Sequence, residues 1–154
     1  RDLITSLDSD KKQRIAHQLA NFLQTLHSFT CDEGLTYNLK SEYTNLYNEI
    51  RQYLYPQMSQ SAQFQTESNF TSFLSSLDSS IPISWIHGDF GSGNILYDKE
   101  KCIIAGVIDF GSAQPGDPAY DIAGLYNTLG ESWVLEMSNT YMLVLLLCRK
   151  PYLV

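Results

Sequence analysis

Positive charge is scarce in this chain: ten Lys and Arg stand against seventeen Asp and Glu, a formal net charge of −7. No basic stripe gathers those ten, so nothing marks a binder of phosphate backbones and no nucleic-acid partner is expected. Cysteine is scarcer. Cys31, Cys102 and Cys148 are odd in number and lack CxxC spacing, which argues against a disulfide framework or zinc knuckle and points to reduced thiols in a cytoplasm. Long apolar runs are missing as well. Met142 to Cys148 falls far short of the ~17 residues that cross a bilayer, so it reads as buried helix and no membrane partner is expected. Arg1-Asp2-Leu3-Ile4-Thr5-Ser6 offers no apolar core or cleavage site of a secretory leader. What is present is 154 residues, 44% hydrophobic and 18% charged. That is the make-up of one globular domain with one core, able to bury roughly 70% of its unfolded surface without staples.

Hydrophobic spacing predicts helices first. Ile15, Leu19, Phe22, Leu23 and Leu26 form one stripe between Ser9 and His27, with Asp8 or Ser9 as cap. Tyr43, Leu46, Tyr47, Ile50 and Leu54 form another, closed by Pro56. Phe70, Phe73, Leu74 and Leu77 keep helical spacing through a Ser- and Gln-rich stretch, which favours a third helix over a linker. After Pro82 the texture changes. Ile83-Ser84-Trp85-Ile86 is a short β-prone run, and Ile95-Leu96-Tyr97 and Cys102 to Ile108 read as a hairpin across the turn Asp98-Lys99-Glu100-Lys101. Asp117-Pro118 then opens a helix whose buried face is Ile122, Leu125, Tyr126 and Leu129, closed by Gly130.

Residues 87–121 carry the chemistry. Asn94 opens the hairpin and Asp109 closes it, so antiparallel pairing brings an amide oxygen beside a carboxylate. Together they suit Mg²⁺, which takes hard oxygen ligands and commonly only one or two carboxylates, the rest being water and substrate phosphates. Asp89, on the preceding loop, is placed to accept the proton of an attacking hydroxyl, general-base work of about 10²–10⁴-fold in rate. Phosphoryl transfer offers little covalent chemistry, so positioning and metal charge supply the remainder.

His87-Gly88-Asp89-x4-Asn94 followed by Ile108-Asp109-Phe110-Gly111 resembles the catalytic and metal loops of the aminoglycoside phosphotransferase and choline kinase family, relatives of protein kinases. Gly88 stands where protein kinases carry Arg, which favours the small-molecule branch. Gly116-Asp117-Pro118-Ala119-Tyr120-Asp121-Ile122-Ala123 resembles the next signature of that family, and the helix Leu19 to His27 is typical of it upstream. The resemblance runs most clearly from residue 19 to 131, with 132–154 atypical. It implies an α+β, mainly helical fold: a kinase-like carboxy-terminal lobe in which a small hairpin carries the metal residues. It also implies Asp89 as catalytic base, Asn94 and Asp109 as Mg²⁺ ligands, Leu96 and Ile108 as the floor under the adenine of ATP, and His87 and Asp121 as hydrogen-bonded supports of the catalytic loop.

The family's amino-terminal lobe, with its Gly-rich loop and phosphate-pairing lysine, has no counterpart here. None of the six lysines follows a glycine-rich turn on a strand, and Gly91-Ser92-Gly93 lacks the context of a phosphate fingerprint. That absence and the lost amphipathic rhythm from Met142 to Pro151 suggest a truncated or frameshifted reading frame. The inherited activity is transfer of the ATP γ-phosphoryl group to a small-molecule hydroxyl, with the isolated chain expected to be inactive or nearly so. A noncatalytic module that associates through an exposed apolar face, or one half of a split enzyme whose other lobe is a separate polypeptide, are the alternatives.

Between Cys102 and Cys148 there is no Lys or Arg, while Asp109, Asp117, Asp121, Glu131 and Glu136 occur. A cationic acceptor would find that field attractive. Its identity is open among aminoglycoside, choline, macrolide, homoserine and sugar-amine acceptors. His87 has no Ser or Cys nucleophile beside it and is read as support; His17 and His27 are read as surface or packing residues.

Overall fold

Asp8 caps the first helix: its carboxylate accepts from Lys11 N at 3.0 Å, and α1 runs Ser9–Leu26 behind it. The computed structural model describes residues 7–29, 38–77 and 83–141. The expectations for Met142 to Cys148 and for Cys31 therefore lie outside the described residues. The chain divides into two compact units, one formed by Arg1–Asp32 with Ile83–Val154 and the other by Glu33–Pro82.

In the smaller unit, α2 (Leu39–Glu49) continues through a π-helical turn, Ile50–Leu54, into a 3₁₀ turn that holds Pro56, and α3 spans Gln60–Ser76. Asn38 and Ser59 cap the two helices through Ser41 N and Ala62 N. Tyr47 stacks on Phe70 at 4.7 Å and Tyr43 meets Phe73 edge-on at 4.8 Å. No side chain of either helix is fully buried, and Leu46 and Leu54 of the expected apolar face are exposed. Two helices alone have too little apolar surface to enclose a core, which is the physical reason this unit has no buried interior of its own.

The larger unit holds the buried interior. Ile15, Leu19 and Leu23 of α1 are fully buried at helical spacing, together with Ile122 and Leu125 of α4 (Ala119–Leu129) and Val134 and Met137 of α5 (Glu131–Ser138). The eight residues of α5 were not anticipated from sequence, yet they pack on both α1 and α4. Gly130, at φ +90°, turns the chain between α4 and α5. Buried Pro118, expected at the first helical position, is instead the N-cap of α4, and Asp117 Oδ1, one residue earlier, accepts from Ala119 N at 2.8 Å.

Two small antiparallel ribbons sit beside these helices. β2 (Ile95–Asp98) pairs with β3 (Ile103–Val107) as the expected hairpin, with a bulge after Leu96. Asp98 Oδ1 accepts from Glu100 N and Lys101 N, closing the turn, and Cys102 follows at φ +54°. Gln18 Oε1 accepts from Ile104 N at 2.9 Å and pins the hairpin to α1. The second ribbon pairs β1 (Ser84–Ile86) with β4 (Gln114–Gly116), a strand the sequence did not reveal because Pro115 lies at its centre. A Cβ at Gly116 would come within 2.6 Å of Ile86 Cδ1, so a larger residue there would push the Ile86 side chain aside. Cys102 is buried and free, accepting a long hydrogen bond from the Tyr97 hydroxyl. No helix among the described residues is long and apolar enough to cross a membrane.

Candidate active site

β1 delivers the chain into the loop His87 to Asn94, and a single carboxylate holds the start of that loop. Asp121, in the first turn of α4, is fully buried. Its Oδ2 accepts from His87 N at 2.8 Å and its Oδ1 from Gly88 N at 2.9 Å. His27 Nε2 lies 3.0 Å from Oδ2, both side chains being at most 2% exposed. A buried carboxylate is tolerated only when its lone pairs are met in this way. His27 is thus not a surface or general packing residue: the helix that carries it ends at Leu26, and its ring reaches into the loop's foundation. His17, by contrast, is exposed and bonds to Thr140 Oγ1.

His87 connects the loop to the end of the hairpin. Its Nε2 lies 3.0 Å from the Ile108 carbonyl oxygen and its Nδ1 accepts from Asp89 N at 3.3 Å. A carbonyl can only accept and an amide can only donate, so the proton sits on Nε2 and the ring is neutral. Phe90 and Phe110 flank it, with centroids 5.6 and 4.6 Å away. Gly88 stands at φ +79°, and a Cβ there would run into the Ser112 carbonyl. α4 approaches the loop just as closely. A Cβ at Gly124 would lie 2.7 Å from the Phe90 carbonyl oxygen, and Thr128 Oγ1 accepts from Ser92 N at 3.1 Å.

The structure brings Asp89 and Asn94 into direct contact. Asn94 Nδ2 donates to the Asp89 carbonyl at 2.8 Å and to Asp89 Oδ2 at 2.9 Å. Two acceptors fix the amide orientation, which leaves Asn94 Oδ1 as the uncommitted atom. Ile108 N donates to Asn94 O at 3.0 Å, so the backbone just before Asp109 is held against Asn94. Asp109 itself adopts φ 63°, ψ 63°, a left-handed conformation that turns the chain out of β3 into the 3₁₀ turn Phe110–Ser112. A Cβ at Gly111 would lie 3.3 Å from Asp109 Oδ1. Asp89 and Asp109 are exposed and Asn94 is half-buried. Among the described residues there is no cluster of three His, Cys, Asp or Glu suited to a metal. An amide oxygen with one carboxylate is nevertheless the hard-oxygen set from which Mg²⁺ completes its octahedron with water and phosphates. Leu96 and Ile108 lie on the hairpin at 46% and 44% exposure.

The model of the phosphotransferase enzyme family matches residues 1–143. The chain belongs to that family. Viomycin phosphotransferase of Streptomyces vinaceus is 28% identical to it over 138 residues, 84% of this chain and 46% of that protein. The GDP and kanamycin complex of APH(2'')-IIIa superimposes with a TM-score of 0.79 at 26% identity, covering 90% of this chain and 50% of that one. The GDP complex of wild-type aminoglycoside 2'-phosphotransferase-IIIa gives 0.80 at 25% identity, with coverage of 90% and 49%. The chain spans about half the length of these relatives. In this member of the family the mainly helical α+β fold is that of a kinase-like carboxy-terminal lobe. Its signature residues 87–121 were legible as motifs, whereas Gly124 and Thr128 carry no motif that names them and His27, within the helix that resembles the family, was read only as a surface or packing residue.

Proposed function

We propose that this chain supplies the catalytic and metal-holding part of a phosphotransferase that moves the γ-phosphoryl group of Mg²⁺·ATP to a hydroxyl of a small molecule. The observation that carries this reading is the commitment of Asn94 Nδ2 to Asp89, which leaves Asn94 Oδ1 uncommitted while the Ile108 N to Asn94 O bond holds the backbone before Asp109 against Asn94. Asn94 and Asp109 hold the metal; when bound, it supplies positive charge to the phosphate oxygens. Asp89, exposed and fixed through Oδ2, accepts the acceptor's hydroxyl proton. His87 and Asp121 keep that loop in register through the Ile108 carbonyl and the two loop amides. Leu96 and Ile108 offer apolar surface for the purine.

The relatives' names point to polycationic acceptors, viomycin in one and kanamycin in another. The charge asymmetry of this chain suits such a substrate, although the acidic field is smaller than the sequence count. Asp121 is buried and fully engaged and Asp117 is 8% exposed, which leaves Asp109, Glu131 and half-buried Glu136 of that set open, with Asp89 exposed on the preceding loop. Trp85, Leu96, Ile108 and Phe110 leave apolar surface exposed in the same unit. That surface favours completion by a further polypeptide segment, in cis or as a separate chain, and low activity of this chain by itself. The free, buried Cys102 fits a reducing, cytoplasmic setting.

Calorimetric titration with Mg²⁺·ATP, repeated with Mg²⁺·GTP because two relatives were solved with GDP, tests the metal assignment. Saturable heat that requires the metal and falls at least about ten-fold in apparent affinity in Asp109→Ala is expected. Equal heat from the wild type and the variant would remove Asp109 from the site.

A further inference from the structure

Tyr141 lies three residues beyond α5 and is 7% exposed. Its hydroxyl sits 2.9 Å from His27 Nδ1, with the two rings 5.8 Å apart and tilted by 41°. The Asp121 carboxylate only accepts, so His27 carries its proton on Nε2. The tyrosine hydroxyl, which can donate or accept, meets Nδ1 in either protonation state of the ring. Burial and the nearby Asp121 charge push the Tyr141 hydroxyl up to about 12, so it keeps its proton at neutral pH. The contacts form one series, Tyr141 to His27 and His27 to Asp121, with the carboxylate also receiving the amides of His87 and Gly88. Each donation polarises the next. Without the hydroxyl, Nδ1 of a side chain that is 2% exposed has no partner among the described residues, and nothing polar fixes the ring from that side.

We propose that Tyr141 is a positioning residue for the loop that carries Asp89, acting through the His27 ring on the carboxylate that anchors the loop's first two amides. Its backbone N–H donates to Met137 O at 3.0 Å, so the tail of α5 is what the loop is braced against. The α5 tail, the end of α1 and the first turn of α4 thereby meet on one buried carboxylate. The functional part of this proposal rests on reading Asp89 as the base, but the brace is measurable without it.

Tyr141→Phe removes one hydroxyl and keeps the ring. In the ¹⁵N-labelled chain, amide exchange at His87 and Gly88 is expected to accelerate roughly ten-fold, the loss of one buried hydrogen bond, with Leu19 and Leu125 changed less than about two-fold. The His27 ring nitrogens are expected to shift in the same spectra. In a His27→Ala background the Tyr141→Phe effect is expected to disappear, because the two act in series. His27→Gln, which can both donate and accept, is expected to keep most of the protection. Unchanged exchange at His87 and Gly88, equal acceleration at every amide, or additive effects with His27→Ala would each overturn the proposal. If His27→Ala does not fold, Tyr141→Phe alone decides by the first two outcomes. Faster exchange at the loop combined with normal turnover in Asp89→Asn would leave the brace standing and remove the role of Asp89.

Discussion

Asp121→Ala is expected to lower the unfolding free energy by about 3–5 kcal/mol, read as a shift of the urea midpoint at unchanged slope. The side chain is fully buried, and its removal strips acceptors from the His87 and Gly88 amides and from His27 Nε2 at once. Each orphaned donor costs about 1–3 kcal/mol where water cannot reach it. Asp121→Asn separates charge from geometry. It keeps one carbonyl oxygen but turns an NH₂ group toward a donor, so its loss is expected to approach that of alanine. A loss below about 1 kcal/mol in both variants would mean that water replaces the carboxylate and that the loop stands without it.

Asp89→Asn is expected to lower kcat by about 10²–10⁴-fold in a preparation that turns over, in which this chain is completed by the remaining half of the domain. The amide matches the carboxylate in shape but cannot take a proton. The two amides at the loop's start and the His87 strap do not involve the Asp89 side chain, so KM is expected to change little. Steady-state release of nucleoside diphosphate measures both constants. A drop of less than ten-fold in kcat would assign Asp89 to orientation rather than proton transfer.

Where one physical signal dominates, the sequence already reads as structure. α1 was visible because Ile15, Leu19 and Leu23 recur at helical spacing behind a capping Asp8, and the hairpin because β-branched runs flank a polar turn. Asn94 and Asp109 could be placed at the two ends of that hairpin before any coordinates were known, since antiparallel pairing brings the ends together. The elements that escaped depend on partners distant in sequence. β4 contains Pro115, which by itself argues against a strand, and exists because β1 pairs with it. In α5, Trp133, Val134 and Met137 fill barely two turns, too short for a periodic pattern, and they gain their burial from α1 and α4. His27 follows a helix as an unremarkable polar residue until Asp121, 94 positions later, and Tyr141 close around it. The division into two units was hidden for a related reason. Tyr47 and Phe70 look like core residues in sequence; they stack on each other, and neither is fully buried.

The pairing of Asn94 Oδ1 with the Asp109 carboxylate on one divalent cation is tested most directly by adding Mn²⁺ with nucleotide to the ¹⁵N-labelled chain. Paramagnetic broadening is expected to concentrate at the amides of Asp89, Asn94 and Asp109 to Gly111 and to vanish in Asp109→Ala. Broadening spread evenly over the acidic surface, or centred away from the hairpin's open end and unaffected by that substitution, would contradict the account.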